Sequence, residues 1–314
     1  MYIVTGGAGF IGSNIVKGLN EKGINDILVV DNLSNSEKFL NLTDCRFVDY
    51  EDKNKFYQYI ENGKFDGVKI EGISHQGACS NTMEYDGRYM VENNFTFSKQ
   101  LFHFAIKKRT PFVYASSAAV YGMSEHFTEE PKNEKPANIY GYSKLMVDQY
   151  IGHFIKEAEN TVVGLRYFNV YGPNEKHKGK MASVIYQFYN QLRSNGKVKL
   201  FGEYDGYKAG EQTRDFIYVK DIVRVNLALL TGPKRKGIYN LGTGRNRTFN
   251  EVAQELIKVM GFGEIEYIPF PEVLKGKYQS FTCADLTKLR EAGVQEQFTA
   301  IEEGIADYYR NYLY

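Results

Sequence analysis

The sequence lacks the features that mark disulfide-rich, zinc-binding and membrane proteins. Cys45, Cys79 and Cys283 lie far apart without a CxxC or CxxH spacing, which argues against a disulfide framework and a zinc site. No apolar run approaches the roughly 20 residues of a membrane-spanning helix. The opening "MYIVTGG" has no basic segment followed by a cleavable apolar stretch. We therefore expect a cytoplasmic protein with no metal site and no membrane partner.

An excess of charge of one sign is also missing, since 39 basic residues face 38 acidic ones and the net charge is +1. Proteins that bind nucleic acids or membrane surfaces use a strong overall field, which this composition does not supply. The chain also has no internal repeat and no linker rich in proline and serine. We expect no nucleic-acid partner, and any anionic ligand must be held by local groups.

Short β-branched runs alternate with longer helical segments in the first part of the chain. The runs "YIVT", "DILVVD", "RFVDY", "GISHQGA", "PFVYASS" and "TVVGLRYFNVYG" predict strands, and segments such as "FTFSKQLFHFAIKKR" predict helices. Such alternation builds βαβ units. It predicts an α/β fold in which residues 1–170 form a Rossmann-type, doubly wound parallel sheet that binds a dinucleotide.

A looser pattern follows in residues 171–314 and predicts a smaller α/β substrate-binding lobe. We expect a helix near 181–195, strands at "VKLF" and "RDFIYV", and a further helix that begins with a Thr248 to Glu251 capping box. Segments near 214–240 should return to the first lobe. A chain of 314 residues is long enough for two such lobes, and without a flexible linker they should pack together.

The stretch "TGGAGFIG" follows the first predicted strand and begins a helix. Gly7, Gly9 and Gly12 have the GxGxxG spacing, which lets the backbone approach a pyrophosphate whose charge meets N–H groups and the helix dipole. A tight turn that needs small residues is the simpler interpretation, but the position between strand and helix favours a dinucleotide. The stretch "HQGACS", residues 75–80, has small residues where a nucleotide would cross the sheet edge, although packing explains them equally well.

Charged residues after the second predicted strand leave the choice between NAD and NADP open. Asp31 lies about 20 residues beyond the glycines, where a carboxylate accepts hydrogen bonds from a ribose 2′-hydroxyl and favours NAD. It can equally cap the next turn. Asn32 follows at once, and Lys38 and Lys53 are near enough in sequence to offer charge to the 2′-phosphate of NADP.

The stretch "YGYSK" places Tyr140 and Lys144 on one face of a predicted helix. An ammonium beside a phenol lowers the phenol pKa, so the phenolate can take a proton from an alcohol while hydride leaves for a nicotinamide. With 25 tyrosines in the chain, this spacing also arises by chance. Ser116 and Ser117 strengthen the catalytic interpretation, because they end the fifth predicted strand, where open α/β sheets bind ligands. A serine there can also cap the following turn.

These motifs carry a resemblance that covers essentially the whole chain. The TGGxGxxG stretch, the serine before "AAVYG", the YxxxK pair, "NVYGP" and "RDFIYVKD" resemble the extended short-chain dehydrogenase/reductase superfamily. The stretches "IVTGGAGFIGSNIVK", "ILVVDNL", "QGACS", "YFNVYGP", "HKGKMAS" and "LKGKYQSFT" are similar to one of its families, the ADP-L-glycero-D-manno-heptose 6-epimerases of lipopolysaccharide inner-core biosynthesis. The resemblance implies an isomerase that inverts C6 of ADP-D-glycero-D-manno-heptose, with tightly bound NADP and a homopentameric assembly.

The resemblance also implies roles for single residues. Ser117, Tyr140 and Lys144 form a catalytic triad, and Lys178 in "HKGKM" is a second acid/base. With the motifs, it implies cofactor contacts at Gly7, Gly9, Phe10, Ile11, Gly12, Asp31, Asn32, Lys38, Lys53, Gln76, Gly77, Ala78, Cys79, Ser80, Asn93, Lys144, Val170 and Lys178. The expected substrate contacts are Asn169, Lys180, Gln187, Phe201, Gly202, Glu203, Tyr204, Arg214 and Tyr278.

Epimerisation gives a chemical reason for Lys178. An unactivated secondary alcohol must be oxidised to a ketone and receive hydride on its other face, so the oxygen takes two positions, which one base hardly serves. By charge pattern alone, the loop "NEKHKGK" is a solvated face, and His177 is a lone loop histidine without a partner.

The guanidinium of Arg214 suits a diphosphate, unless it pairs with Asp215. Tyr278 either reaches the substrate or packs its ring.

Three other functions stay open at this point. Only Lys178 and the long shared stretches argue against a function as a UDP-hexose 4-epimerase. A 4,6-dehydratase needs acidic groups just after the strand-end serine, where this chain has Ala118 and Ala119. A non-catalytic dinucleotide sensor usually lacks the triad. Residues 203–212, "EYDGYKAGEQ", form a longer loop than the family pattern has, which leaves the substrate contacts of this loop open.

Overall fold

The computed structural model describes residues 1–314. The strands are β1 (Tyr2–Thr5), β2 (Ile27–Asp31), β3 (Asp49–Asp52), β4 (Gly72–His75), β5 (Phe112–Ser117), β6 (Val162–Tyr167), β7 (Asn169–Tyr171), β8 (Lys197–Phe201), β9 (Thr213–Tyr218), β10 (Lys236–Leu241), β11 (Asn246–Thr248) and β12 (Glu264–Ile268). The helices are α1 (Phe10–Glu21), α2 (Lys53–Glu61), α3 (Gly87–Met90), α4 (Phe97–Lys108), α5 (Ile139–Phe154), α6 (Val184–Asn195), α7 (Val219–Thr231), α8 (Phe249–Met260), α9 (Thr287–Glu291) and α10 (Ile301–Tyr308). All of these helices fall short of the length or hydrophobicity that a bilayer-spanning helix requires.

Seven parallel strands form the large sheet, in the order β10, β6, β5, β4, β1, β2 and β3. β2 is buried along its whole length, which is typical of parallel strands that helices cover on both faces. The predicted Rossmann-type, doubly wound sheet is thus confirmed. β1 pairs with β2 on one side and with β4 on the other, so the strand order reverses here. Ligands of such sheets bind at this reversal, beside the carboxyl ends of the strands.

Two smaller sheets form the second part of the molecule. β9 pairs with β7 and with β11, and β8 pairs in parallel with β12. Residues of α6, α8 and α10, among them Phe188, Leu256 and Ile305, bury an apolar core against these strands. Because this core is separate from that of the large sheet, the smaller layer presents its own surface to whatever the large sheet binds.

Later segments of the chain return to the large sheet. α7 packs against α1, and β10 extends the sheet beyond β6 in parallel register. These elements overlap the expected return near 214–240. The domain division at residue 170 stays a prediction.

Two predicted strands differ from the observed ones. "RFVDY" was expected to be a strand throughout, but pairing with β2 begins only at Asp49. "TVVGLRYFNVYG" divides after Tyr167, because β6 belongs to the large sheet and β7, from Asn169, belongs to a smaller one. The capping box is confirmed, since Thr248 Oγ1 accepts the Glu251 amide at 3.0 Å and the Glu251 carboxylate accepts the Thr248 amide at 2.7 Å.

Candidate active site

A cleft of about 900 Å³ lies where the strand order of the large sheet reverses. Its walls include residues at the carboxyl ends of β1, β2 and β5, such as Thr5, Asp31 and Ser117. Arg214 of β9 and Phe249 of α8 line it from the smaller layer. A cleft of this kind can hold one ligand against the sheet and a second against the smaller layer.

The glycine stretch is packed closely against its own backbone. A Cβ at Gly12 would lie 2.1 Å from the Gly6 carbonyl oxygen, and one at Gly7 would lie 2.8 Å from the Val4 carbonyl oxygen. α1 begins after Gly9, and no side chain caps it. The turn therefore needs small residues, which agrees with the simpler of the two interpretations of the glycine spacing. The N–H groups at the start of α1, which no side chain caps, also fit an anionic pyrophosphate.

The end of β2 offers an acceptor and two cations to the cleft. The Asp31 carboxylate accepts a hydrogen bond from the Ala8 amide at 2.9 Å and another from the Lys38 ammonium at 2.9 Å. It also accepts the Asn32 amide at 2.7 Å, so the predicted turn cap is present. Lys38 and Lys53 both line the cleft. The ribose end of a dinucleotide would meet a carboxylate that already has three donors.

Ser117, Tyr140 and Lys144 come together at the carboxyl end of β5. The Asn138 side chain caps α5 by accepting a backbone N–H at 2.8 Å, which places Tyr140 in the first turn of the helix. The Ser117 side chain lies close enough to the Tyr140 hydroxyl to favour its ionised form. Lys144 lies one turn further along α5, and its Nζ donates to the Ala115 carbonyl at 2.8 Å.

The two neighbouring serines have different partners. The Ser116 hydroxyl donates to the Asp148 carboxylate at 2.8 Å, and this carboxylate is ion-paired with Arg166 at 2.9 Å. The Ser117 hydroxyl accepts the Ala119 amide at 3.1 Å, which is the expected turn cap, and it also reaches Tyr140. Of the two serines, only Ser117 therefore adjoins the phenol.

The pKa of Tyr140 does not shift in the predicted direction. Burial raises it, the neighbouring Ser117 hydroxyl opposes the rise, Cys79 adds to it, and Lys144 is not among the groups that shift it. Burial also lowers the pKa of Lys144 to about 8, against the attraction of Asp148. The prediction that Lys144 lowers the phenol pKa is thus wrong for this structure, because the ammonium is directed to the Ala115 carbonyl.

Lys178 lies in a short 3-10 turn, Lys176–Met181, and lines the same cleft as Tyr140. Its Nζ lies 5.6 Å from the centre of the Phe10 ring. Burial lowers the pKa of Lys178, and the neighbouring carboxylate of Glu175 opposes this shift. The charged loop is thus not simply a solvated face. The adjacent His177 is not without a partner, since its Nδ1 lies 3.1 Å from the Asn41 side-chain nitrogen.

Arg214 is half-buried and has no carboxylate partner. Its guanidinium lies 5.0 Å from the centre of the Tyr278 ring and 5.5 Å from that of Phe249. Asp215 instead accepts hydrogen bonds from the Thr243 amide and hydroxyl, both at 2.7 Å. The alternative ion pair with Asp215 is therefore wrong, and Arg214 is free to bind an anion in the cleft.

Most of the predicted contacts line the cleft. Besides the residues described above, these are Ile11, Gln76, Gly77, Ala78, Cys79, Ser80, Asn93, Asn169, Val170 and Phe201. Six predicted residues do not line it: Gly7, Lys180, Gln187, Gly202, Glu203 and Tyr204.

The residues outside the cleft have other contacts. Gln187 donates to the Gly179 carbonyl at 2.8 Å. The Tyr204 ring stacks on Phe270 with 3.9 Å between centroids, and its hydroxyl accepts the Gly276 amide at 2.6 Å. The longer loop is therefore ordered at its start, where Tyr204 holds it against the aromatic residues beside the cleft.

Two contributors to the site were not predicted from the sequence. Phe249 supports Arg214, and Glu175 lies beneath the turn that carries Lys178. No local signal marks either residue, because Phe249 has the pattern of an ordinary helix start and Glu175 belongs to a charged loop.

Comparisons with known proteins agree with this geometry. Residues 2–242 match the model of the NAD dependent epimerase/dehydratase family. An ADP-L-glycero-D-manno-heptose-6-epimerase from Alkalilimnicola ehrlichii is 57% identical over 313 residues, which cover 100% of this chain and 96% of that protein.

Solved structures extend the comparison. The ADP-L-glycero-D-manno-heptose-6-epimerase of Helicobacter pylori has a TM-score of 0.83 at 30% identity, with 98% of this chain and 94% of that chain covered. The UDP-glucose 4-epimerase of Thermotoga maritima, with UDP-glucose, has a TM-score of 0.82 at 31% identity, with 100% and 99% covered. The chain belongs to the NAD dependent epimerase/dehydratase family.

Proposed function

We propose that this protein inverts C6 of ADP-D-glycero-D-manno-heptose to form ADP-L-glycero-D-manno-heptose, in lipopolysaccharide inner-core biosynthesis. A full-length relative with this activity in its name is 57% identical. The observation that carries the proposal is the presence of two acid/base groups, Tyr140 and Lys178, in one cleft. Inversion through a ketone needs a group for each of the two positions of the oxygen.

Tyr140 and Lys178 divide the proton transfers between them. A nicotinamide cofactor, when bound, would supply the hydride acceptor and donor that passage of C6 through a ketone requires. The state in which Tyr140 is the base and Lys178 the acid converts one epimer, and the reversed state converts the other. Ser117 orients the substrate oxygen and the Tyr140 hydroxyl through its own hydroxyl. Lys144, which lines the cleft and donates to the Ala115 carbonyl, would hold the ribose of a bound cofactor.

We infer that the tightly bound cofactor is NADP, with NAD as the alternative. The Asp31 carboxylate already accepts the Ala8 amide and the Lys38 ammonium, so a ribose 2′-hydroxyl would compete with these donors. Lys38 and Lys53 supply the charge that a 2′-phosphate requires.

The substrate diphosphate is assigned to Arg214, whose guanidinium lacks a carboxylate and faces the cleft. Phe201 and Tyr278, whose ring centroids lie 6.0 Å apart, offer flat apolar surface beside it for a nucleotide base. A homo-oligomer, homopentameric by the resemblance, and a cytoplasmic location remain predictions.

An activity assay with two substrates tests the proposal. ADP-D-glycero-D-manno-heptose and UDP-glucose are incubated separately with the purified protein, and the configuration at C6 or C4 is followed by NMR. We expect conversion of the heptose only. Conversion of UDP-glucose without heptose activity would instead assign a 4-epimerase. Denaturing the same preparation should release NADP.

A further inference from the structure

Glu175 is a buried carboxylate at the start of the turn that carries Lys178. Only 1% of its surface is exposed. One carboxylate oxygen accepts the Gly172 amide at 3.2 Å and the Ser183 hydroxyl at 2.8 Å, and the other oxygen accepts the Ser183 amide. The Glu175 side chain therefore joins Gly172, which lies before the turn, to Ser183, which lies after it.

The turn between these anchors is also held by side chains from outside it. Asn174 and Gly179 have left-handed backbones, with φ of 73° and 52°. The Lys178 amide donates to the Glu175 carbonyl at 3.0 Å. Asn41 contacts His177, and Gln187 donates to the Gly179 carbonyl. Glu175 therefore fixes the ends of the turn, while these side chains hold its middle.

Glu175 also connects the turn to the C-terminal part of the chain. The Tyr308 hydroxyl of α10 lies near the Glu175 carboxylate, whose charge raises the pKa of Tyr308 further above the level set by burial. Tyr186 of α6 is the other titratable group of a neighbouring element that faces it. Burial raises the pKa of Glu175 and lowers that of Lys178, and each of these two groups opposes the shift of the other.

We propose that Glu175 is a positioning residue for Lys178: its carboxylate fixes both ends of the turn and supports the ammonium, without touching the substrate. Glu175 is not among the residues that line the cleft, which separates it from the groups that contact ligands. The inference rests on the proposed role of Lys178 in epimerisation.

Glu175→Gln tests this role because it keeps the shape of the side chain and removes its charge. We expect kcat to fall about 10- to 100-fold, since a displaced catalytic group loses rate steeply, while KM for the nucleotide sugar stays within about twofold. Thermal unfolding of the variant shows whether the fold is kept.

The pH profile separates positioning from general stability. Lys178 must lose its proton to act as the base, so the proposed mechanism assigns to it a limb on which kcat rises with pH, and burial lowers its pKa. Glu175 opposes the lowering. Removing its charge should therefore move that limb to lower pH. Glu175→Asp, which keeps the charge but is shorter, should lose kcat without moving the limb, and Tyr308→Phe should also leave the limb in place.

Lys178→Met, assayed in parallel, distinguishes the two possible failures. If Lys178→Met is inactive while Glu175→Gln has the wild-type kcat and pH profile, the positioning role is refuted and the proposed function stands. If Lys178→Met epimerises at the wild-type rate, the two-base function itself fails. If Glu175→Gln does not fold, a wild-type pH profile and kcat for both Glu175→Asp and Tyr308→Phe refute the positioning role.

Discussion

The reactivity of Tyr140 depends on the groups that adjoin its hydroxyl. Burial disfavours the phenolate, and the neighbouring Ser117 side chain opposes this effect. Lys144 contributes an ammonium whose pKa is lowered to about 8, which lies close enough to neutrality for its charge to respond to its surroundings. If a cofactor drew the Lys144 ammonium away from the Ala115 carbonyl, the charge of the ammonium would favour ionisation of the Tyr140 phenol.

Replacing Tyr140 by phenylalanine should lower kcat by roughly 10² to 10⁴, because the ring remains but the general acid/base is lost. The fold should persist, which thermal unfolding checks. Tyr142→Phe is the matched control, since Tyr142 lies on the same helix, is 49% exposed and does not line the cleft. Wild-type turnover of Tyr140→Phe would remove this residue from the mechanism.

Single residues differ in how far the sequence predicted them. Spacing and strand position, which are local features, pointed to Tyr140 and to the pair Ser116 and Ser117, and the family resemblance selected Ser117 from that pair. Lys178 was found only through the family resemblance, since its charged loop has no pattern of its own. Glu175 was missed, because its burial depends on Ser183 and on Tyr308, which is far away in the sequence.

At the scale of elements, β2 and the segments after it determine which cofactor fits. Asp31 ends the strand, Lys38 lies in the 3-10 turn that follows, and Lys53 begins α2. Lys38 and Asp31 form an ion pair at 2.9 Å that is largely shielded from solvent. Among the charged residues of these elements that line the cleft, two are lysines and one is a carboxylate, which suits a phosphorylated ribose.

The double variant Lys38→Ala and Lys53→Ala should weaken binding of NADP more than binding of NAD, because only the 2′-phosphate loses charge-assisted partners. The two affinities can be compared by titrating protein freed of its nucleotide. Lys132→Ala with Lys258→Ala serves as the control, since both lysines are 74% exposed and lie outside the cleft. Equal losses for NAD and NADP would contradict the assignment.

Helices and strands could be predicted from the sequence where one hydrophobic pattern runs through a segment that lies within a single layer of the fold. α4, β5 and α8 were found from helical spacing, from a buried run and from a capping box. The division between β6 and β7 was not, because the run is apolar on both sides of it, and only its partners in the two sheets reveal the change of layer.

At the scale of the whole molecule, the cleft joins groups that belong to separate cores. Tyr140 lies on a helix of the large sheet, whereas Arg214 belongs to a strand of the smaller layer. The sequence predicted both layers, but it contains no signal for the distance between them, which packing alone determines. The proposed two-sided access to one sugar carbon requires that the two layers enclose the cleft between them.

The most direct test of that chemistry is the fate of the C6 hydrogen when the protein converts ADP-D-glycero-D-manno-heptose in heavy water. Transient oxidation moves this hydrogen as hydride to the nicotinamide and back, so it never equilibrates with solvent. NMR of the product should therefore show protium at C6 after complete conversion. Deuterium at C6 would mean direct deprotonation of the carbon, and it would contradict the oxidation and reduction cycle that Tyr140 and Lys178 are proposed to serve.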